Sequence, residues 1–236
     1  IPGQDMDSWK GTLEQAAKLQ PEHISAYELT VEKSTELHDM LHSPPHLPVI
    51  TGGLRGEQKN GLSPLDEDII IGMYEYAIDY LSSQGYNHYE ISNFALPGHE
   101  CRHNINYWNR GEYYGAGLGA HSFISGQRFH NTDNLEEYLG LLSENRSPAR
   151  DFESISDETA LSEALFLGLR KTEGIIVESF SKRYKQNVLN RYAKEIVELG
   201  KAGLLALSPS PCSFETVLKL TRKGMILSNE VFKKFL

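Results

Sequence analysis

The chain has 236 residues, enough to bury a core as one large domain or two ordinary ones, and its composition, 39% hydrophobic and 23% charged, is that of a globular protein. No apolar run approaches the ~20 residues that span a bilayer, and the opening residues do not read as a signal peptide. Two cysteines, Cys101 and Cys212, are too few for a disulfide framework. These features point to a reducing compartment: the cytoplasm or, in a eukaryote, an organellar matrix. The net charge of −9 is uneven, because residues 1–180 carry 12 basic and 28 acidic side chains while residues 181–236 carry 11 and 4. An acidic body with a basic C-terminal part suggests two units.

The opening stretch, IPGQDMDSW, reads as the loop after a strand, so the chain is expected to begin inside a fold. Asp5 or Asp7 caps a helix to about Leu19, with Trp9, Leu13, Ala16 and Ala17 at helical spacing and Pro21 as its stop. HISAYELTVE follows as a buried strand. Ser43 to Pro64, rich in proline and glycine, breaks the pattern as a surface insertion, of which 43–62 has no assignable role. Asp66 starts a second helix with an apolar stripe of Ile69, Ile70, Met73, Tyr74, Ala77, Ile78 and Leu81, closed by Gly85. YNHYEIS is the next strand. This helix–strand alternation predicts a parallel α/β sheet or barrel with its chemistry at the C-terminal strand ends. Glu28, Thr30, Glu32, Glu90, Ser92 and Asn93 fall there. Each glutamate is either an acid–base group or an ordinary ion-pair partner.

HECRHNINYW comes next and gathers potential ligands beside aromatic rings. A neutral imidazole at His103 suits iron or zinc, and Tyr107 and Trp108 could stack on a flat macrocycle. The alternation of His99, Cys101 and His103 matches no closed zinc site. From the residues alone, His103 is either a metal ligand or a hydrogen-bonded loop histidine. On an extended segment Cys101 and His103 would share a face; on a helix they would diverge by about 200°. GAGLGA lacks the spacing and the lysine of a phosphate loop, so a tight turn is expected. SFISGQRFHN reads as a hairpin turning at Ser125–Gly126. After Pro148, helices are predicted at Asp157–Leu169, Val177–Tyr184 and Leu189–Lys201, with strands at Leu204–Leu207 and Val217–Leu220 and a last helical stretch. Three helices and a small β-wing make a winged-helix-like pattern. The wing, SPSPCSF, carries no basic residue, so nucleic acid is not an expected partner.

IPGQDMDSW, HISAYELTVE, YEISNFALPGHECRHNINYW, GAGLGAHSF and LTRKGMILSNEVF, in that order along nearly the whole chain, resemble the radical S-adenosylmethionine proteins of the oxygen-independent coproporphyrinogen oxidase group. Within the group HNINYW is similar to the H-N-x-x-Y-W pattern of the haem-chaperone branch. The resemblance implies an α/β fold: the C-terminal half of a partial (β/α) radical-SAM barrel over residues 1–130, then a helical, winged-helix-like domain over 131–236. It implies haem bound at His103, Asn104, Tyr107 and Trp108, with His103 on the haem iron, and delivery of haem to haem-dependent proteins. The enzymatic alternative is a coproporphyrinogen III dehydrogenase acting on a porphyrin precursor. Thr30 and His121 align with the rim of an S-adenosylmethionine site. The 4Fe–4S cluster motif of the group lies outside this chain, whose two cysteines do not supply it. Implied partners are haem or porphyrin and haem-receiving proteins, with a membrane-associated acceptor and a homodimer left open.

Overall fold

The computed structural model describes residues 1–42, 65–210 and 215–236. The Ser43–Pro64 insertion and the tip of the wing, with Cys212, lie outside them. Packing divides the chain into two compact units, one of residues 1–88 and 92–99, the other of residues 89–91 and 100–236. Among the described residues no helix is long and apolar enough to cross a membrane.

In the first unit α1 (Met6–Lys18) is capped by Asp5, whose carboxylate accepts from the Ser8 N–H at 2.8 Å, which decides between the two candidate caps. β1 (His23–Ser25) and α2 (Glu36–His42) precede α3 (Glu67–Ser83), capped by Asp66. β2 (Asn87–Glu90) and β3 (Asn93–Ala95) complete a sheet of order β1-β3-β2. The helices pack through Leu13, Ala77 and Leu81, which enclose Phe94 and Tyr86. Trp9 ties α1 to α3 by donating its indole N–H to the Met73 carbonyl at 2.8 Å.

Two expectations change here. The two predicted strands, β1 and β2, are not neighbours: β3 lies between them and pairs with β1 in an antiparallel register, His23 opposite Ala95 and Ser25 opposite Asn93. The long strand of HISAYELTVE is also only three residues. A strand extends as far as its partner, and β3 is bounded by the Ile91–Ser92 turn and by Pro97, which has no N–H to donate. Glu28, Thr30 and Glu32 consequently sit on exposed, irregular backbone.

The second unit opens with α4 (Arg102–Trp108), then β4 (His121–Ile124), β5 (Gln127–Asn131), α5 (Leu135–Ser143) and β6 (Ala149–Ser154). The three strands form an antiparallel sheet in chain order, so β5 spans residue 130 and is paired on both sides. The predicted hairpin turns at Ser125 and Gly126, both at positive φ (49° and 75°), as a two-residue I′ loop requires. α6 (Asp157–Leu169), β7 (Ile175–Ile176) and α7 (Val177–Tyr184) follow, ended by Lys185 at φ 53°. The third predicted helix is broken at Tyr192 into α8 (Val188–Arg191) and α9 (Ala193–Lys201). β8 (Leu205–Pro209) and β9 (Thr216–Leu220) form the wing in a sheet of order β7-β9-β8, and α10 (Arg222–Ile226) and α11 (Ser228–Phe232) close the unit. Leu161, Leu165, Leu169, Val188, Leu218 and Val231, each almost fully buried, are the centre of its core.

Two stability measurements check this packing. Leu218→Ala, in the central strand of the wing sheet, should cost about 3 kcal/mol in denaturant unfolding, whereas Val197→Ala, on the exposed side of α9, should stay within about 0.5 kcal/mol. Trp9→Phe keeps an aromatic ring but removes the donor together with the pyrrole half of the indole, so it should cost at least about 1 kcal/mol; an unchanged melt would show that the Met73 bond contributes nothing.

Candidate functional site

α4 is a helix without a capping side chain: Cys101 occupies its N-cap but makes no side-chain cap bond. Its position is fixed instead from β2. The Tyr89 hydroxyl accepts the Cys101 N–H at 3.4 Å and also hydrogen-bonds the Asn104 side chain. Burial pushes that hydroxyl above its ordinary value, with the Cys101 hydrogen bond acting in the opposite sense. Helical spacing then sorts the motif into two rows, His103 with Tyr107 and Asn104 with Trp108. The same helix removes the common face that an extended segment would have given Cys101 and His103.

The four predicted residues differ in what they can do. His103 is exposed; the edge of one ring meets the face of the other where it contacts Tyr107, centroids 4.7 Å apart at 86°. Neither of its ring nitrogens has a hydrogen-bond partner among the described residues. Asn104 is a strut to Tyr89. Tyr107 packs on against Tyr113 at 4.6 Å. Trp108 carries the Arg170 guanidinium on its ring at 4.3 Å, and its buried Nε1 has no acceptor among the described residues. The exposed imidazole with free nitrogens fits an axial ligand to haem iron; Trp108 fits a packing role better than an open stacking platform.

A cavity of about 440 Å³ adjoins this helix. Tyr107, Trp108, Tyr113, Phe123 and Phe166 give it ring walls, and Arg110, Arg128, Glu163 and His121 line it with polar groups. Three of the predicted site residues, Tyr107, Trp108 and His121, therefore share one cavity. Glu163 accepts from Arg110 Nε at 3.0 Å and from Arg128 Nη2 at 2.8 Å. That hydrogen bond is the main reason the Arg128 guanidinium is held more firmly protonated than usual. His121 stacks on His130 at 5.0 Å, and His130 in turn meets the Asp151 carboxylate at 2.9 Å and the Asn131 carbonyl at 2.8 Å. A larger groove of about 740 Å³, between α6, α7 and the wing sheet, also reaches Trp108 and is edged by Lys171, Arg183 and Lys219.

The glycine-rich loop serves packing: a Cβ on Gly115 would lie 2.2 Å from the His121 carbonyl oxygen, and Asn131 donates to the carbonyls of Gly115 and Gly117. Glu90 is 1% exposed and faces Arg170 at 3.7 Å, so it is the ion-pair partner of an arginine. Thr30, in the first unit, is exposed. Among the described residues no group of three His, Cys, Asp or Glu could hold a metal ion, and an iron–sulfur cluster does not fit the residues present. Sequence reasoning missed Arg110, Arg128 and Glu163, because they are 35 and 53 residues apart and no local pattern joins them.

Residues 155–227 match the HemN C-terminal domain family. Over its whole length the chain is 35% identical to the "Heme chaperone HemW" of Lactococcus lactis subsp. lactis (strain IL1403) and 32% identical to that of Bacillus subtilis (strain 168), covering 56% of each. All of it also superposes, with a TM-score of 0.68 and 16% identity, on 52% of the Escherichia coli coproporphyrinogen III oxidase HemN, a radical SAM enzyme, a likeness that shows the fold. The chain spans about half the length of the curated relatives it matches. The chain is thus similar over its whole length to these two relatives, and residues 155–227 carry the likeness to the HemN C-terminal domain.

Proposed function

We propose that the protein is a haem chaperone in which α4 presents His103 as the side chain that would hold the haem iron. The observation that carries this reading is the exposed imidazole with no partner on either nitrogen among the described residues, on a helix held by Tyr89 and Asn104. The relatives named as haem chaperones support it. Haem, when bound, supplies an iron that takes the imidazole nitrogen, and the protein's part is to hold that nitrogen still and outward. Tyr107 limits the swing of the ring from one side, and Asn104 holds the helix against β2. Trp108, covered by Arg170, keeps the far end of the helix in the second unit's packing. An exposed ligand suits a carrier, because the cargo must leave for an acceptor.

The coproporphyrinogen dehydrogenase reading rests on a fold likeness at 16% identity and on no feature of the site. On the chaperone reading, a full-length protein would carry the 4Fe–4S cluster and S-adenosylmethionine, whose cluster ligands this chain does not supply. The partners on this reading are haem and haem-receiving proteins, and its compartment is the cytoplasm.

The test is a pair of single substitutions in the full chain, titrated with ferric haem. His103→Ala should abolish the shifted absorption band and weaken binding at least about tenfold, roughly 1.4 kcal/mol, while Cys101→Ser keeps both. An unchanged spectrum in His103→Ala would return His103 to a structural role.

A further inference from the structure

In the cavity beside α4 two arginines share one carboxylate. The Arg110 side chain is 11% exposed and Glu163 is 14% exposed. Arg110 spends Nε on Glu163 and lays its guanidinium over the Phe123 ring at 4.5 Å. Its Nη2 is buried and meets no acceptor among the described residues. Arg128 gives Nη2 to the other oxygen of the same carboxylate. The lining thus holds two cations against one anion, with His121 as the remaining imidazole, in a chain whose net charge is −9. A buried guanidinium N–H without an acceptor is costly, and a second carboxylate would satisfy it while cancelling the excess charge.

We infer that this cavity receives a carboxylate borne by a flat, apolar ligand. Resting on the reading that His103 ligates haem, the carboxylate is a porphyrin propionate. The Tyr107 ring is the link: it forms a wall of the cavity and meets the His103 imidazole at 4.7 Å. Iron held by His103 would leave the propionates at the periphery of the macrocycle, and Tyr107 is a neighbour shared by the imidazole and the arginines' cavity. S-adenosylmethionine also carries a carboxylate, but its sulfonium adds a positive charge to a lining that already has one in excess. The aromatic walls favour the flat ligand.

The experiment uses the full chain, titrated with haem, with haem dimethyl ester, in which both propionates are esterified, and with S-adenosylmethionine. Absorption and tryptophan fluorescence are the readouts. The protein should bind haem about tenfold tighter than the diester. Arg110→Gln should remove that preference, and Arg110→Lys should restore part of it. Retention of the preference in both Arg110→Gln and the more exposed Arg128→Gln would overturn the inference. Should Arg110→Gln fail to fold, Arg128→Gln carries the test. Binding of S-adenosylmethionine that competes with haem and is lost in Arg110→Gln would overturn the porphyrin assignment. The parent reading is tested separately, since the band position reports iron ligation while the haem-over-diester ratio reports the carboxylate.

Discussion

Glu90 is 1% exposed, and a carboxylate taken that far from water costs several kcal/mol unless a cation faces it. Arg170, at the C-cap of α6, supplies the cation at 3.7 Å. The backbone follows the ion pair: the Ile91 N–H donates to the Arg170 carbonyl, the Thr172 N–H to the Tyr89 carbonyl, and Glu90 bridges Lys171. These contacts bind the end of β2 to the end of α6, inside the second unit. They also set the Arg170 guanidinium over Trp108 and the Tyr89 hydroxyl under the start of α4. A seven-residue helix with no capping side chain is far too short to stand alone in water. Its position, and with it the direction of His103, is inherited from this ion pair and the backbone around it.

The same arrangement divides the labour within the H-N-x-x-Y-W motif. Asn104 and Trp108 face the packing and spend their polar or aromatic surface on Tyr89 and Arg170. His103 keeps nitrogens that are exposed and unpartnered among the described residues, and Tyr107 touches both it and the cavity. Helical neighbours therefore turn one side chain outward while the others hold the helix that carries it. The arginine pair on Glu163 adds a positively charged cavity at the inner end of that row.

Elements whose signals are local were legible in the sequence. Asp66 announced its helix, Ser125–Gly126 its turn, and Asp157–Leu169 and Val177–Tyr184 fall where periodicity and flanking residues put them. What depended on distant partners was not. β1 looks like a long strand because its residues suit one, yet its length is set by a three-residue partner some 70 positions later. The break at Tyr192 lies in continuous helical periodicity and answers to the second unit's core, where Tyr192 is buried against Phe235. α4 was undecided between strand and helix because Cys101 offers no cap bond. The cluster of Arg110, Arg128 and Glu163 is assembled by tertiary structure alone.

The central claim is that the His103 imidazole is the protein's ligand to haem iron. Pulsed electron paramagnetic resonance of the ferric haem complex, prepared with the full chain carrying ¹⁵N-labelled histidine, measures this directly through the hyperfine coupling of iron to its axial nitrogen. The account predicts a histidine ¹⁵N coupling that vanishes in His103→Gln. A complex without histidine coupling, or one with the signature of thiolate ligation from Cys101, would contradict it.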